Sequence, residues 1–94
     1  MSNLVDQAKD LINVDRQNQY GSPVKNFKTI AEFWTSYLKS KFQFSGELNQ
    51  NDVCQMMMLL KQSRLINNED HKDSKVDMIG YLLIQEGICT GEFK

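Results

Sequence analysis

Residues 56–65 read "MMMLLKQSRL": five large apolar side chains in succession, then Lys61 and Arg64 one helical turn apart. At about 100° per residue, Val53, Met56, Met57 and Leu60 fall on one stripe, and Cys54, Met58 and Leu65 on a second beside it. The two stripes together cover more than half of the helix circumference. A helix that apolar is either central in a bundle or shared between subunits. In a chain of 94 residues few neighbours exist to surround it. The expectation is an all-α chain, a small four-helix bundle completed by homo-oligomerisation through this helix as a dimer or higher assembly.

Arg64 lies about 20° from Val53, at the middle of the first stripe, and Lys61 lies near its edge. A buried charge without a partner is costly. One reading pairs Arg64 with an internal carboxylate such as Asp77 or Asp15, or lets it snorkel to the surface. The other places Arg64 and Lys61 at a pocket for an anionic ligand, where a guanidinium fork suits phosphate or carboxylate.

Three further helices are predicted around this one. Leu4, Val5, Ala8, Leu11 and Ile12 recur at helical spacing behind a Ser2 or Asn3 cap, giving a first helix to about Asp15. "NQYGSP" then stops the helix, offers Ser22 as the next cap and puts Pro23 in the first turn. Val24, Phe27, Ile30, Ala31, Trp34, Tyr37 and Leu38 form the apolar face of the helix that follows. The pattern breaks around Gly46, and Asn49 or Asn51 caps the helix containing Met56. The polar run "NNEDHKDS" is a loop. Ser74 with Asp77 resembles a capping box opening a last helix, with Val76, Ile79, Gly80 and Leu83 on one face and an end near Gly87. "ICTGEF" could be extended.

Eleven basic residues oppose twelve acidic ones, mixed along the chain. Such a balance lacks the basic footprint of duplex nucleic-acid binding. Mean hydropathy is -0.50, no run approaches the roughly 20 apolar residues that span a bilayer, and no secretory leader is visible. The expectation is a single cytoplasmic domain over residues 1–94 that does not enter membranes. Cys54 and Cys89 lack CxxC spacing and sit in or beside apolar stretches, which suggests buried, reduced thiols. His71, the single histidine, lies in a polar loop with too few neighbours for a zinc site. No phosphate-cradling glycine loop and no nucleophile elbow is present, so no catalytic residue, metal or cofactor is assigned.

Polar groups near the prospective pocket include Arg16 on the edge of the first helix, Asp77 beside the apolar face of the last, and Tyr20 and Gly21 in the turn before Ser22. The start of the second helix adds unpaired backbone N–H groups, a natural anion site. For Tyr20 the alternative is packing over the bundle end, and for Gly21 a positive φ angle. Trp34, Phe27 and Tyr37 read as core, and Gly80 as a place where helices approach closely.

The segments "DRQNQYGSPVKNFKTIAEFW", "DVCQMMMLLKQSRL" and "DSKVDMIGYLL" resemble a group of small phage- and prophage-encoded proteins without an assigned activity. The shared pattern falls on Arg16, Tyr20, Gly21, Asn26, Phe27, Trp34, Asp52, Val53, Met57, Lys61, Arg64, Asp77, Gly80 and Tyr81, covering most of residues 15–83. The arrangement is also similar to MazG-like helical pyrophosphohydrolases, which hold Mg2+ with paired carboxylates one helical turn apart. No Glu-x-x-Glu pair occurs here, and Asp73 with Asp77 is the nearest substitute. By analogy, phages encode small oligomers that sequester nucleotide-type signals of host immunity.

These readings converge on a small phosphorylated or nucleotide-like ligand bound without turnover in the host cytoplasm. Arg16, Lys61 and Arg64 would hold anionic groups, Tyr20 would stack on or hydrogen-bond to the ligand, and Asp77 would orient Arg64 or accept from a ribose hydroxyl. Gly21 and Asn26 complete the candidate site. The alternatives are Mg2+-dependent nucleoside triphosphate pyrophosphohydrolysis, and inhibition of a host protein through the methionine-rich face.

Overall fold

The structure, a computed structural model, describes residues 3–11 and 22–92, and among these residues there are four helices and no strand. They are α1 (Leu4–Leu11), α2 (Pro23–Phe42), α3 (Gln50–Asn67) and α4 (Lys72–Thr90). No helix among the described residues is long and apolar enough to cross a membrane. The expected extension of the first helix to Asp15, and Arg16, Tyr20 and Gly21, lie outside the described residues.

The caps explain the boundaries. Ser22 accepts from the Lys25 N–H at 3.2 Å, and Pro23, which has no N–H to lose, opens α2. At the other end Gln43 takes the left-handed conformation with φ 55°, and the Phe44 N–H closes on the Leu38 carbonyl at 3.4 Å. Asn49 and Asp52 then form a reciprocal capping box. The Asn49 side chain accepts from the Asp52 N–H at 3.0 Å, and the Asp52 carboxylate accepts from the Asn49 N–H at 2.9 Å.

The start of α4 departs from the sequence expectation. His71, not Ser74, is the N-cap: its Nδ1 accepts from the Ser74 N–H at 3.3 Å and lies 2.7 Å from the Ser74 hydroxyl. Ser74 is consequently inside the helix and buried. The far end differs too. α4 runs through Gly87, a tolerated interior glycine, and the segment "ICT" is helical up to Gly91, whose φ of +76° ends it.

The core gathers Phe27 and Ala31 of α2, Val53 and Cys54 of α3, and Ile84 of α4. Trp34 packs against this cluster, and the Phe27 and Tyr81 rings meet with centroids 6.0 Å apart. α4 packs along α3 and against α1, while α2 packs on α3. Buried Thr35 was not anticipated. Its hydroxyl donates to the Ala31 carbonyl at 2.7 Å and accepts from the Leu48 N–H at 2.9 Å, so it pins the α2–α3 connection onto α2. Tyr37, expected in the core, is 57% exposed, because it sits past the edge of the α2 stripe that α3 covers. Gly80 faces α1, but a Cβ there would lie 4.0 Å from the Ala8 carbonyl oxygen, an ordinary contact.

Removing the Asn49 side chain orphans the Asp52 N–H at the start of α3, so Asn49→Ala should cost about 1 kcal/mol. In a domain of this size that is a fall of about 4–8 °C in thermal midpoint, readable by circular dichroism.

Candidate functional site

The two stripes of α3 are covered to different heights along the helix. Along the first, Val53 is fully buried, Met57 half-buried, Leu60 43% exposed and Arg64 exposed, so the stripe opens progressively toward the end of the helix. Along the second, Cys54 and Met58 are buried and Leu65 is half-buried, and Lys61, on the border between the two stripes, is buried as well. The buried cation is therefore Lys61 and the surface cation is Arg64, the reverse of the wheel-based expectation. The wheel places residues around α3 correctly but is blind to where the covering helices end.

Lys61 Nζ meets Asp77 Oδ2 at 3.0 Å, with side-chain exposures of 11% and 30%. Asp77 thus neutralises Lys61 rather than orienting Arg64. The pairing follows from the α3–α4 hairpin. Lys61 is level with Asp77 near the turn, and further along Asn51 is level with Cys89, whose sulfur accepts from Asn51 Nδ2 at 3.8 Å. A strip of side chains from each helix faces the other between these two contacts.

Above the ion pair lies an open cleft of about 340 Å³ between α1 and α4, lined by Gln7, Asp73, Val76 and Asp77. Asp73 and Asp77 are one turn apart on the same face of α4. Val76 is buried and forms the apolar floor. The cleft combines carboxylate and amide acceptors with a cation held just behind them. Among the seven residues of the expected site, the structure joins Lys61 to Asp77, leaves Arg64 and Asn26 exposed and unjoined to that pair, and does not describe Arg16, Tyr20 or Gly21. Asp73 is legible from its spacing to Asp77, whereas Gln7 enters the site only because α1 lies against α4. Among the described residues, no group of three or more His, Cys, Asp or Glu is placed to hold a metal ion.

The cysteines differ from one another. Cys54 is buried, as expected, and Cys89 is exposed. Burial pushes the Cys54 thiol up to about 11, reinforced by Cys89 nearby and opposed by a backbone hydrogen bond. Cys54 is accordingly an inert thiol at neutral pH. Of the three consecutive methionines, Met58 is buried, Met57 half-buried and Met56 39% exposed, so they do not present one methionine-rich surface.

Three outcomes follow from this geometry. Asp77→Ala strands a nearly buried ammonium, whereas Lys61→Met leaves a carboxylate that water can reach. The first should cost about 2 kcal/mol or more, and the second clearly less, in urea unfolding. A thiol reagent should modify Cys89 in the folded protein and Cys54 only on unfolding, as peptide mass mapping would record. Because the Cys54 value is raised in the folded state, its contribution to stability is complete below the ordinary thiol value of about 8.5 and is lost as pH rises through about 11. Cys54→Ala should flatten that alkaline decline.

Comparison with known proteins places this chain in a family. The family described as Domain of unknown function (DUF6378) matches residues 3–89. The Gene 55 protein of Mycobacterium phage D29 is 36% identical over 78 residues, covering 83% of this chain and 48% of that protein. The Gene 55 protein of Mycobacterium phage L5 is 38% identical over 79 residues, covering 84% of this chain and 47% of that protein. The chain thus spans about half the length of the curated relatives it matches. No solved structure matches it. Both relatives are phage gene products, in keeping with the phage association expected above. The family match extends over all four helices, and the chain belongs to the phage-associated family Domain of unknown function (DUF6378).

Proposed function

We propose that the α1–α4 cleft binds a small nucleotide-like ligand without turning it over, sequestering a host defence signal in the cytoplasm of the infected cell. The observation that carries this reading is Asp77, which lines the cleft while its carboxylate is paired with the nearly buried Lys61. A largely buried ion pair is weak evidence for stability, since well-packed apolar residues of similar volume often serve as well or better. A pair with its carboxylate on an open cleft, by contrast, offers a ligand that displaces Asp77 both the carboxylate and the ammonium behind it. Ribose hydroxyls or a base amino group can donate to Asp73, Asp77 and the Gln7 carbonyl, while an anionic group approaches Lys61. Arg64, Arg16 and Asn26 are the further candidates for the anion, and Tyr20 and Gly21 for the base.

The MazG-like alternative has one specific support, the Asp73 and Asp77 carboxylates one turn apart on a cleft wall. It requires Mg2+ and release of pyrophosphate, which the binding proposal does not.

A panel of mono-, di- and cyclic nucleotides tested by thermal shift and calorimetry distinguishes these readings. At least one nucleotide should raise the midpoint. Asp73→Asn, a change at an exposed position that preserves shape, should weaken its binding about tenfold, as expected for losing one hydrogen bond to a charged group. Absence of any shift across the panel would refute the proposal. Mg2+-dependent pyrophosphate release by the wild-type chain, abolished in Asp73→Asn, would establish the enzyme instead.

A further inference from the structure

The face of α3 turned away from Asp77 has a second regularity. Met56, Leu59, Ser63 and Ile66 follow one another at spacings of three, four and three residues, the a/d rhythm of a coiled-coil seam. They lie on average about 180° around the helix from Lys61. Nothing among the described residues covers them: Met56 is 39%, Leu59 57% and Ile66 79% exposed, and Ser63 is exposed as well.

We infer that this seam pairs with the same seam of a second copy of the chain, antiparallel, about a two-fold axis near residue 61. Three observations select that occupant. The sizes are self-complementary in this register: Met56 meets Ile66 of the other copy, and Leu59 meets Ser63, so a large residue faces a small one in the two inner layers. The lateral flanking positions on this side, Gln55, Leu60, Gln62 and Asn67, carry no charge, and Asp52, which continues the stripe one turn before Met56, is engaged with the Asn49 N–H in the helix cap, so the four seam layers meet without like-charge repulsion. The one polar residue in the seam is already satisfied, because the Ser63 hydroxyl donates to the Leu60 carbonyl at 2.6 Å and can be covered without losing a hydrogen bond. From Met56 to Ile66 the seam is about 15 Å long, well below the extent of a standard specific interface, so the dimer is a weak one that dissociates on dilution. The seam is separate from the α1–α4 cleft, and the inference does not depend on what the cleft binds.

Sedimentation equilibrium of the full chain over a concentration series reads the association directly. The wild-type protein should pass from monomer to dimer as concentration rises. Leu59→Glu alters a side chain outside the protomer's own core, so it should keep the helical circular dichroism spectrum and remain monomeric. Ser63→Lys alone should also weaken the dimer. An equimolar mixture of the two variants should regain it, because Glu at 59 of one copy faces Lys at 63 of the other while the second inner layer stays native. A wild-type chain that is monomeric at every concentration, or a Leu59→Glu chain that dimerises as well as wild type, would overturn the inference. A mixture that fails to associate would overturn the antiparallel register.

Discussion

The contact between α3 and α4 is the constraint on which the rest depends. Lys61 with Asp77 at one end and Asn51 with Cys89 at the other fix how the two helices slide along each other, and the apolar layer of Val53, Cys54 and Ile84 fills the space between. Once that register is set, α2 has one place to put Phe27 and Ala31, over Val53 and Cys54. α1 lays its buried Ala8 against α4. Ion pair and core act differently here. The apolar layer supplies most of the driving force, while the charge pair penalises a slide that brings Tyr81 to the place of Asp77, since that would leave a nearly buried ammonium without a carboxylate.

The same pair connects the fold to the proposed ligand cleft. Asp77 belongs both to the hairpin and to the cleft wall, so any ligand that competes for its carboxylate also perturbs the contact holding α3 to α4. Val76 beside it is buried while Asp73 a turn away is not, and the cleft is therefore anchored on a rigid segment with its acceptor side open to solvent. α3 accordingly presents two surfaces with different chemistry: a charged contact facing inward to α4, and an uncharged apolar seam facing outward.

Much of this organisation was legible along the chain. Helix content, the Ser22–Pro23 start of α2 and the Asn49 cap of α3 depend on interactions within a few residues, so local chemistry specifies them. The exceptions are instructive for the same reason. Ser74 and His71 can each cap a helix, and Ser74 went inside because packing extended α4 by a turn. Gly87 looked like a stop but is buried within α4, where tertiary contacts outweigh its low helix propensity. Thr35 carries no sequence signal of burial, because its value lies in bonding Leu48, thirteen residues away.

The sequence by itself determined that the chain is four amphipathic helices with an unusually apolar third member, and that a cation on that helix would need a carboxylate, with Asp77 a candidate. Periodicity and capping are local properties, and they survive whatever the helices do next. Only the tertiary structure decided that the buried cation is Lys61 and not Arg64, that Cys89 is exposed, and that Gln7 and Asp73 share a cleft. The physical reason is the finite length of the covering helices. A helical wheel assigns every residue an angle but no neighbour, and whether a position is core or surface depends on which helix lies over it at that height.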